Sequence, residues 1–335
     1  MLDKSNMLGM LKNFPNQLKD AARRGEAIKL KRLKGIDKIV FSGLGGSAIG
    51  ADLLRSYVAD EIKLPIFINR NYNIPNFVDK KTLFITSSYS GNTEETLESY
   101  RRAKQKGAKI IAISSDGKLK QIAKRDGMPF IEMPGGYPPR CALGYSFILP
   151  LAVLVKLGLI SNKDAEIKEA AALLESIKNK TRSLAKILAR KIYNKFCVIY
   201  AGCDHIDSVA TRWRGQIAEN SKALASSHLF PEMNHNEIVG WRYPKKILKH
   251  FAVLYLRDKG DHPRVTLRMN ISRPIIEKTG VKVIEIRSKG RGLLARILSL
   301  IYVGDFMSVY LAGLNKIDPA PVDAVTYLKN MLAKK

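Results

Sequence analysis

The chain has 335 residues, with 57 lysines and arginines against 30 aspartates and glutamates, so its formal net charge is +27. Hydrophobic residues make up 46% and charged residues 26%, which excludes a chain too polar to collapse. The length predicts two domains, with one large α/β unit as the alternative. Three cysteines, none in a C-x-x-C pair, exclude a disulfide framework. We expect buried thiols in a reducing, cytoplasmic setting at Cys141, Cys197 and Cys203.

The positive charge raises the expectation of an anionic partner. It is spread over residues 1–34, 156–195 and 242–296, with no single block of like charge. No zinc-finger spacing, basic heptad or RNA-binding aromatic motif accompanies it. We therefore interpret the charge as a solvated basic surface and predict no specific nucleic-acid partner.

The sequence predicts no membrane segment. The chain begins without a long apolar core, so we expect no signal peptide. The longest apolar run, residues 141–155, contains Pro150 and is shorter than the roughly 20 residues that a membrane-spanning helix needs. We expect a buried helix there.

The first half of the chain alternates between helical and strand patterns. Residues 8–33 have apolar side chains at near-helical spacing, interrupted by Pro15, and predict a helical lead-in. Five short β-rich segments follow, with helical stretches between them: residues 38–42, 65–68, 82–86, 110–113 and 129–132. This alternation predicts an α/β fold with a parallel, doubly wound sheet.

The second half repeats this rhythm after a charged helical segment. Residues 39–43 and 198–202 both lead from a strand into a glycine and form a faint internal repeat. Further strands are predicted at residues 196–200, 251–256 and 281–285, and helices at residues 160–195, 207–222 and 293–314. We predict two similar α/β domains, residues 1–155 and 196–335, joined by a helical connection at residues 156–195.

Two loops rich in glycine and hydroxyl groups lie between a strand and a helix in the first half. Residues 43–48 read Gly-Leu-Gly-Gly-Ser-Ala, with the Ser47 hydroxyl at the expected capping position, and residues 87–93 read Ser-Ser-Tyr-Ser-Gly-Asn-Thr. Glycines let the backbone approach an anion, and a helix N-terminus adds N–H groups and a positive dipole end. Both loops are expected at the carboxyl ends of parallel strands, where ligands bind. They predict a phosphate site rather than helix caps alone.

A dinucleotide is the weaker interpretation of the first loop. Gly43, Gly45 and Ala48 fit a loose Rossmann fingerprint, but residues 66–70 offer no carboxylate for a ribose and only Arg70 for a 2′-phosphate. A dinucleotide also leaves the hydroxyl-rich second loop unexplained. We therefore favour a compact phosphate monoester, and the sequence contains no Walker A loop and no metal-ligand cluster.

The densest acid–base chemistry lies in the second half. Glu219 stands near the end of a predicted helix, and His235 stands between two asparagines with Glu232 and Glu237 close by. We expect the apolar residues around this segment to make its polar groups hydrogen-bond or act on a ligand, so His235 is a candidate acid–base group. Lys316 follows a long apolar helix, where it either caps that helix or reaches into a site.

These motifs resemble the archaeal-type bifunctional phosphoglucose/phosphomannose isomerases, which are built from tandem sugar isomerase (SIS) domains. The likeness runs in order through residues 45–48, 88–93, 139–142, 219–220, 231–237 and 316–319. An Asn-His-Asn-Glu block together with SIS loops is specific, whereas SIS loops alone mark a broad superfamily. Cys141 departs from the pattern, since a small residue is expected there, and the resemblance does not explain the basic excess.

The resemblance implies isomerisation of glucose 6-phosphate or mannose 6-phosphate to fructose 6-phosphate through a cis-enediol intermediate. It places the base that moves a proton between C1 and C2 at Glu219, whereas spacing alone leaves Glu232 and Glu237 as rivals. The other implied roles are stabilisation of the developing oxyanion by Arg140, ring opening by His235 with Lys316, and substrate binding by Gly45, Gly46, Ser47, Ser88, Ser90 and Thr93. It implies no metal or redox cofactor and a homodimer in which the His-bearing loop enters the neighbouring subunit's site.

Two other classes of protein stay open. A non-catalytic SIS protein that senses a phosphosugar needs the phosphate loops but not Glu219, His235 and Lys316 together. A nucleic-acid-binding protein is suggested by the net charge alone, and its affinity would fall steeply with salt.

Overall fold

The computed structural model describes residues 2–332 and Lys334. The chain divides into two compact units. The N-terminal unit comprises Asn13–Glu175 and Gly290–Arg296, and the C-terminal unit comprises Met1–Lys12, Ser176–Lys289 and Ile297–Lys335.

The first half of the chain forms α1 (Met7–Lys12), α2 (Phe14–Glu26), β1 (Lys38–Ser42), α3 (Gly45–Val58), β2 (Ile66–Asn69), β3 (Thr82–Ser88), α4 (Glu94–Gln105), β4 (Lys109–Ser114), α5 (Lys118–Arg125), β5 (Phe130–Glu132) and α6 (Leu143–Lys156). The second half forms α7 (Asp164–Ile192), β6 (Phe196–Gly202), α8 (Asp207–Ser221), β7 (Ala225–Phe230), α9 (Lys245–Leu248), β8 (Phe251–Arg257), α10 (Pro263–Glu277), β9 (Lys282–Arg287), α11 (Leu293–Leu314) and α12 (Asp323–Leu332). Short 3-10 turns lie at Pro139–Cys141, Glu232–His235 and Glu237–Gly240.

Each unit contains one parallel sheet. The N-terminal sheet has the order β2-β1-β3-β4-β5, and the C-terminal sheet has the order β7-β6-β8-β9. The first four positions of the two sheets therefore share one connectivity, with β1 and β6 as equivalent strands. This confirms the predicted pair of similar doubly wound α/β folds and the repeat that relates residues 39–43 to residues 198–202.

Two apolar helices supply much of the buried core. Helix α6 is buried along most of its length despite Pro150 in its interior, as predicted for residues 141–155. Among the described residues, α11 is the one helix long and apolar enough to cross a membrane by length and composition. Its most apolar window is 89% buried within the protein, and a buried core helix passes the same test.

The sequence-based assignment is wrong at three places. Residues 27–33 are not helical, because four positive charges within residues 28–34 repel one another at helical spacing. Strand β7 was missed because Ala-Ser-Ser-His-Leu-Phe contains no β-branched residue. Helix α10 was missed because its apolar residues occur all around the helix and prolines stand near both ends, so no single face is visible in the sequence.

Candidate functional site

The hydroxyl-rich loops meet at the carboxyl ends of β1 and β3. These strands are neighbours in the sheet. The chain runs from β1 to β2 on one flank and from β3 to β4 on the other, so the strand order reverses between β1 and β3. In this class of fold, ligands usually bind at the carboxyl ends of the strands at such a reversal. A Cβ on Gly43 would lie 2.7 Å from the carbonyl oxygen of Ser87. The two loops therefore touch through their backbones, and glycine is required for that approach.

The second loop folds back on itself through its own hydroxyls. Ser88 Oγ and Thr93 Oγ1 share a 2.9 Å hydrogen bond, and the Gly91 N–H donates to Ser88 Oγ at 3.1 Å. The Asn92 N–H donates to Ser90 Oγ at 3.3 Å. Ser88 is buried, Thr93 is half-buried and Ser90 is exposed, so the loop carries hydroxyl groups at different depths below the surface.

The hydroxyls of these loops do not cap the helices that follow them. Helix α3 begins at Gly45 and its N-cap is Leu44, so the expected capping position for Ser47 is wrong: Ser47 lies inside the first turn and is 5% exposed. Thr93 is the N-cap of α4, but its side chain makes no capping hydrogen bond and pairs with Ser88 instead. Both helix N-termini therefore keep N–H groups that side-chain caps would otherwise occupy.

Arg140 belongs to the same cluster. Its 3-10 turn packs against the start of α3, where a Cβ on Gly46 would lie 2.8 Å from the carbonyl oxygen of Pro139. The Arg140 side chain is only 4% exposed. Tyr89 ties the second loop to the segment before the turn, since its hydroxyl donates to the Pro134 carbonyl at 2.9 Å. The structure thus brings Arg140 and the predicted phosphate loops together, and the Tyr89 anchor, which spans 45 residues, has no local signal in the sequence.

The C-terminal unit holds Glu219 in α8 and Lys316 just beyond α11, and buried polar contacts join these two helices. In α8, Arg212 donates from Nε and Nη2 to the Asp305 carboxylate of α11 at 3.0 and 2.7 Å, with both side chains buried. Gln216 Nε2 donates to the same carboxylate at 2.9 Å. One turn further along α8, Asn220 Nδ2 donates to Ser308 Oγ at 2.9 Å. These buried polar contacts fix α8, which carries Glu219, against α11, which precedes Lys316.

Glu219 and Lys316 occupy the ends of these two helices. Glu219 is half-buried in the last turn of α8. Lys316 is exposed and has a φ of +58°, with its N–H bonded to the Gly313 carbonyl. The Ile317 N–H donates to the Ala312 carbonyl at 3.1 Å, which completes a Schellman motif with Lys316 in the position that glycine usually takes.

His235 lies elsewhere in the C-terminal unit, at the end of the turn that follows β7. Its neighbour Asn234 donates from Nδ2 to Ser272 Oγ of α10 at 2.7 Å, which anchors the turn. The expectation that an apolar frame encloses His235 is wrong, because His235 is exposed and Val239 is 80% exposed. The short backbone turn places the imidazole at the surface while its neighbours Met233 and Asn234 face inward.

The rival carboxylates have partners of their own. Glu237 Oε1 accepts from the Tyr200 hydroxyl at 2.6 Å, and Tyr200 in turn accepts from Trp241 Nε1 at 3.0 Å. Glu232 is exposed, and its Oε1 accepts from Asn236 Nδ2 at 2.8 Å. Glu237 is therefore held in an aromatic network, and Glu232 is tied to its own turn.

The carboxyl edge of the second sheet is acidic where the first is rich in hydroxyls. Asp261 Oδ1 would lie 2.9 Å from a Cβ on Gly202, and the Asp258 N–H donates to Asp261 Oδ2 at 2.8 Å. Burial, together with the carboxylates of Asp258 and Asp204, raises the pKa of Asp261 to about 6. This edge disfavours an anion.

The cysteines follow the prediction of buried thiols with one exception. Cys141 and Cys197 are buried free thiols, and burial raises the pKa of Cys197 to about 12. Cys203 is exposed, so its expected burial is wrong; it lies in the turn just beyond β6, where the chain leaves the sheet. Three further histidines are exposed: His228, His250 and His262. Among the described residues, no group of three or more His, Cys, Asp or Glu side chains is placed to hold a metal ion.

Two family models match the chain. The SIS domain model matches residues 32–127, which contain β1 to β4. The model of the bacterial phospho-glucose isomerase C-terminal SIS domain matches residues 181–332, which contain β6 to β9. A solved structure of a hypothetical protein from Thermus thermophilus superposes with a TM-score of 0.78 over 98% of this chain and 90% of that chain. Its sequence identity is 17%, so this likeness supports the fold alone.

Two relatives that match nearly the whole chain carry the same name. A bifunctional phosphoglucose/phosphomannose isomerase from Caldicellulosiruptor bescii is 48% identical over 330 residues, which cover 96% of this chain and 97% of the relative. A protein of the same name from Thermoplasma acidophilum is 36% identical over 297 residues, 88% of this chain and 89% of the relative. These identities, over nearly whole chains, confirm the resemblance seen in the motifs: the chain belongs to the bifunctional phosphoglucose/phosphomannose isomerase family.

Proposed function

We propose that this protein is an aldose–ketose isomerase that interconverts glucose 6-phosphate or mannose 6-phosphate with fructose 6-phosphate. The observation that carries the proposal is the 48% identity to a bifunctional phosphoglucose/phosphomannose isomerase over 96% of the chain. The contacts within the hydroxyl-rich loops agree with it, because they leave two helix N-termini and several hydroxyls available for a phosphate. No observation favours the non-catalytic phosphosugar sensor.

The proposed chemistry is a proton transfer between neighbouring carbons. In the aldose-to-ketose direction, the Glu219 carboxylate takes the proton from C2, the C2–H electron pair forms the C1–C2 double bond, and the C1–O1 π pair moves to O1, which gives the enediolate form of the cis-enediol intermediate. The proton of the O2 hydroxyl passes to O1, the C2 carbonyl forms at O2, and the same carboxyl group gives its proton to C1. Proton transfer by a positioned group of this kind accelerates a reaction roughly 10²- to 10⁴-fold.

The other candidate residues take supporting roles in this proposal. The buried guanidinium of Arg140 stabilises the negative oxygen that develops on the enediolate. His235, with Lys316, moves a proton between O5 and O1 as the sugar ring opens. The phosphate is bound by Gly45, Gly46, Ser47, Ser88, Ser90 and Thr93. Binding the distant phosphate orients the reacting carbons and raises turnover as well as affinity.

The proposal also covers assembly and setting. We infer a cytoplasmic homodimer that uses no metal ion and no redox cofactor and has no specific nucleic-acid partner and no membrane partner. It has two similar domains, residues 1–155 and 196–335, joined by residues 156–195. A coupled assay on each hexose 6-phosphate, run with and without a chelator, tests the metal-free mechanism, and loss of turnover on chelation would contradict it.

The decisive variant is Glu219→Gln, which keeps the shape of the side chain but removes the base. We expect turnover to fall roughly 10²- to 10⁴-fold while affinity for a hexose 6-phosphate stays within a few fold. Glu232→Gln and Glu237→Gln are the matched controls, since each removes one of the rival carboxylates. If Glu219→Gln kept full turnover and one of the controls lost it, the base would be the glutamate replaced in that control.

A further inference from the structure

The side chain of Lys222 gathers backbone carbonyls from two separate parts of the C-terminal unit. Its Nζ donates to the carbonyl of Glu219 at 2.8 Å, to that of Pro319 at 3.0 Å and to that of Asp318 at 3.1 Å. Glu219 belongs to the last turn of α8, and Asp318 lies two residues beyond Lys316. One ammonium group thus joins the helix end that carries the proposed base to the loop that carries the proposed lysine.

The backbone at Lys222 is in a conformation that lysine adopts at a cost. Lys222 ends α8 with a φ of +51° and a ψ of +37°, the left-handed region where glycine is usual. A glycine there would terminate the helix without steric strain but would have no side chain. A lysine in this strained conformation indicates that its side chain has a role, and the contacts assign that role to the ammonium group that binds the carbonyls.

A second contact runs alongside the first. Asn315 Nδ2 donates to the carbonyl of Ser221 at 2.8 Å, so the residue before Lys316 is fastened to the residue before Lys222. Asn315 joins the C-terminal ends of α8 and α11, and Lys222 binds the segment that follows α11, at Asp318 and Pro319. With both contacts made, the backbone of Glu219 has a fixed separation from the backbone on either side of Lys316.

We propose that Lys222 is a positioning residue for the isomerisation, which it serves by holding Glu219 and the loop of Lys316 in their productive relation. The inference rests on the proposed function and deepens it. In this proposal Lys222 acts only through backbone carbonyls and does not contact the sugar. A carboxylate that hands a proton between adjacent carbons must be placed within a fraction of an ångström, and a shift of that size lowers turnover more than binding.

The test compares three variants at one position. Lys222→Met keeps the length of the side chain and removes the ammonium; Lys222→Arg retains a positive donor; Lys222→Gly removes the side chain and relieves the left-handed strain. We expect Lys222→Met and Lys222→Gly each to lower kcat by roughly 10- to 100-fold with KM for the hexose 6-phosphate changed less than about threefold. Lys222→Arg should recover most of kcat.

Lys329→Met is the matched control for loss of one positive charge, because Lys329 lies exposed in the last turn of α12. Thermal unfolding of all variants separates positioning from folding, and Lys222→Gly remains informative if Lys222→Met does not fold. A kcat within twofold of wild type in Lys222→Gly, an equal rise in KM and fall in kcat, or the same loss in Lys329→Met would overturn the inference. A wild-type chain without isomerase turnover would instead refute the proposed function.

Discussion

Ser88 and Thr93 are joined by a 2.9 Å hydrogen bond between their hydroxyls, which closes the loop between β3 and α4. Each hydroxyl has further hydrogen-bonding capacity, and the loop lies at the ligand edge of the sheet. Because one hydroxyl donates its only hydrogen to the other, the pair sets the shape of the loop and keeps one O–H free to donate to a phosphate.

Removing either hydroxyl is expected to weaken substrate binding. Each substitution removes either the free O–H or the hydroxyl that positions it, and a hydrogen bond to a charged group contributes roughly 1.5–3 kcal/mol. Ser88→Ala and Thr93→Val should therefore each raise KM for a hexose 6-phosphate roughly 10- to 100-fold. Steady-state kinetics measure this, with Thr326→Val on the exposed α12 as a control that removes an unrelated hydroxyl. Unchanged KM in both loop variants would exclude this loop from phosphate binding.

A methyl group added at Gly46 is expected to disturb the site through Arg140. The new Cβ would lie 2.8 Å from the Pro139 carbonyl oxygen, closer than real Cβ contacts allow, so the turn that carries Arg140 must move. Gly46→Ala should lower kcat/KM by roughly 100-fold, because misplacement by about 1 Å has effects of that size.

Gly135→Ala is the matched control for this substitution. Gly135 has no neighbouring atom within 4 Å of an added Cβ, and it belongs to the loop that precedes the same turn. We expect its kinetics to match wild type. Equal activity in Gly46→Ala and Gly135→Ala would show that the approach of the turn to α3 is not needed for catalysis.

The buried pair Arg212 and Asp305 is expected to dominate stability between α8 and α11. Asp305→Leu leaves a buried guanidinium without its carboxylate and should lower the free energy of unfolding by about 3–5 kcal/mol. The double variant Arg212→Met, Asp305→Leu removes both charges and should cost less than the single one. Urea unfolding measures both, and a double variant less stable than Asp305→Leu would contradict this account.

The raised pKa of Asp261 predicts a pH-dependent cost to folding. The folded-state pKa of about 6 lies above the ordinary value of 3.8, so the folded chain binds the proton more tightly than the unfolded chain does. Stability from this group is therefore present below pH 3.8, falls as the pH rises towards 6, and stays reduced above 6.

Asp261→Asn should remove this cost, since the amide oxygen still accepts from the Asp258 N–H. We expect a gain on the order of 1 kcal/mol at about pH 8, after allowance for the partial exposure of the group, and almost none at about pH 4. Urea unfolding at the two pH values measures the gain. Asp116→Asn, which alters a carboxylate that is 82% exposed, serves as control and should show no such difference. A loss of stability at the higher pH in Asp261→Asn would refute the assignment.

Local signals explain what could be predicted from the sequence. Short β-branched runs that end in glycine mark β1 and β6, and hydroxyl-rich loops between strand and helix mark the carboxyl edge of the first sheet. The contact between the loops at Gly43 follows from the parallel sheet order, whereas Arg140 was assigned to the site by the resemblance alone. The assignment of specific chemical roles came from the resemblance rather than from spacing.

Features that depend on distant partners were missed. Helix α10 has apolar residues on every side, so its sequence shows no face and no clear start. The use of Lys222 depends on carbonyls 96 and 97 residues further along the chain, and no residue pattern records them. The exposure of His235 was predicted incorrectly because neighbouring apolar residues in sequence do not enclose a side chain that a tight turn directs outward.

The shared strand order of the two sheets, with hydroxyls along one carboxyl edge and Asp258 and Asp261 along the other, has a consequence for stoichiometry. Two halves with a common architecture would, if unchanged from one ancestor, each accept a phosphorylated ligand. Opposite edge chemistries break that equivalence, so we expect each chain to bind one phosphorylated ligand rather than two, at the hydroxyl-rich edge of the first sheet and not at the acidic edge of the second.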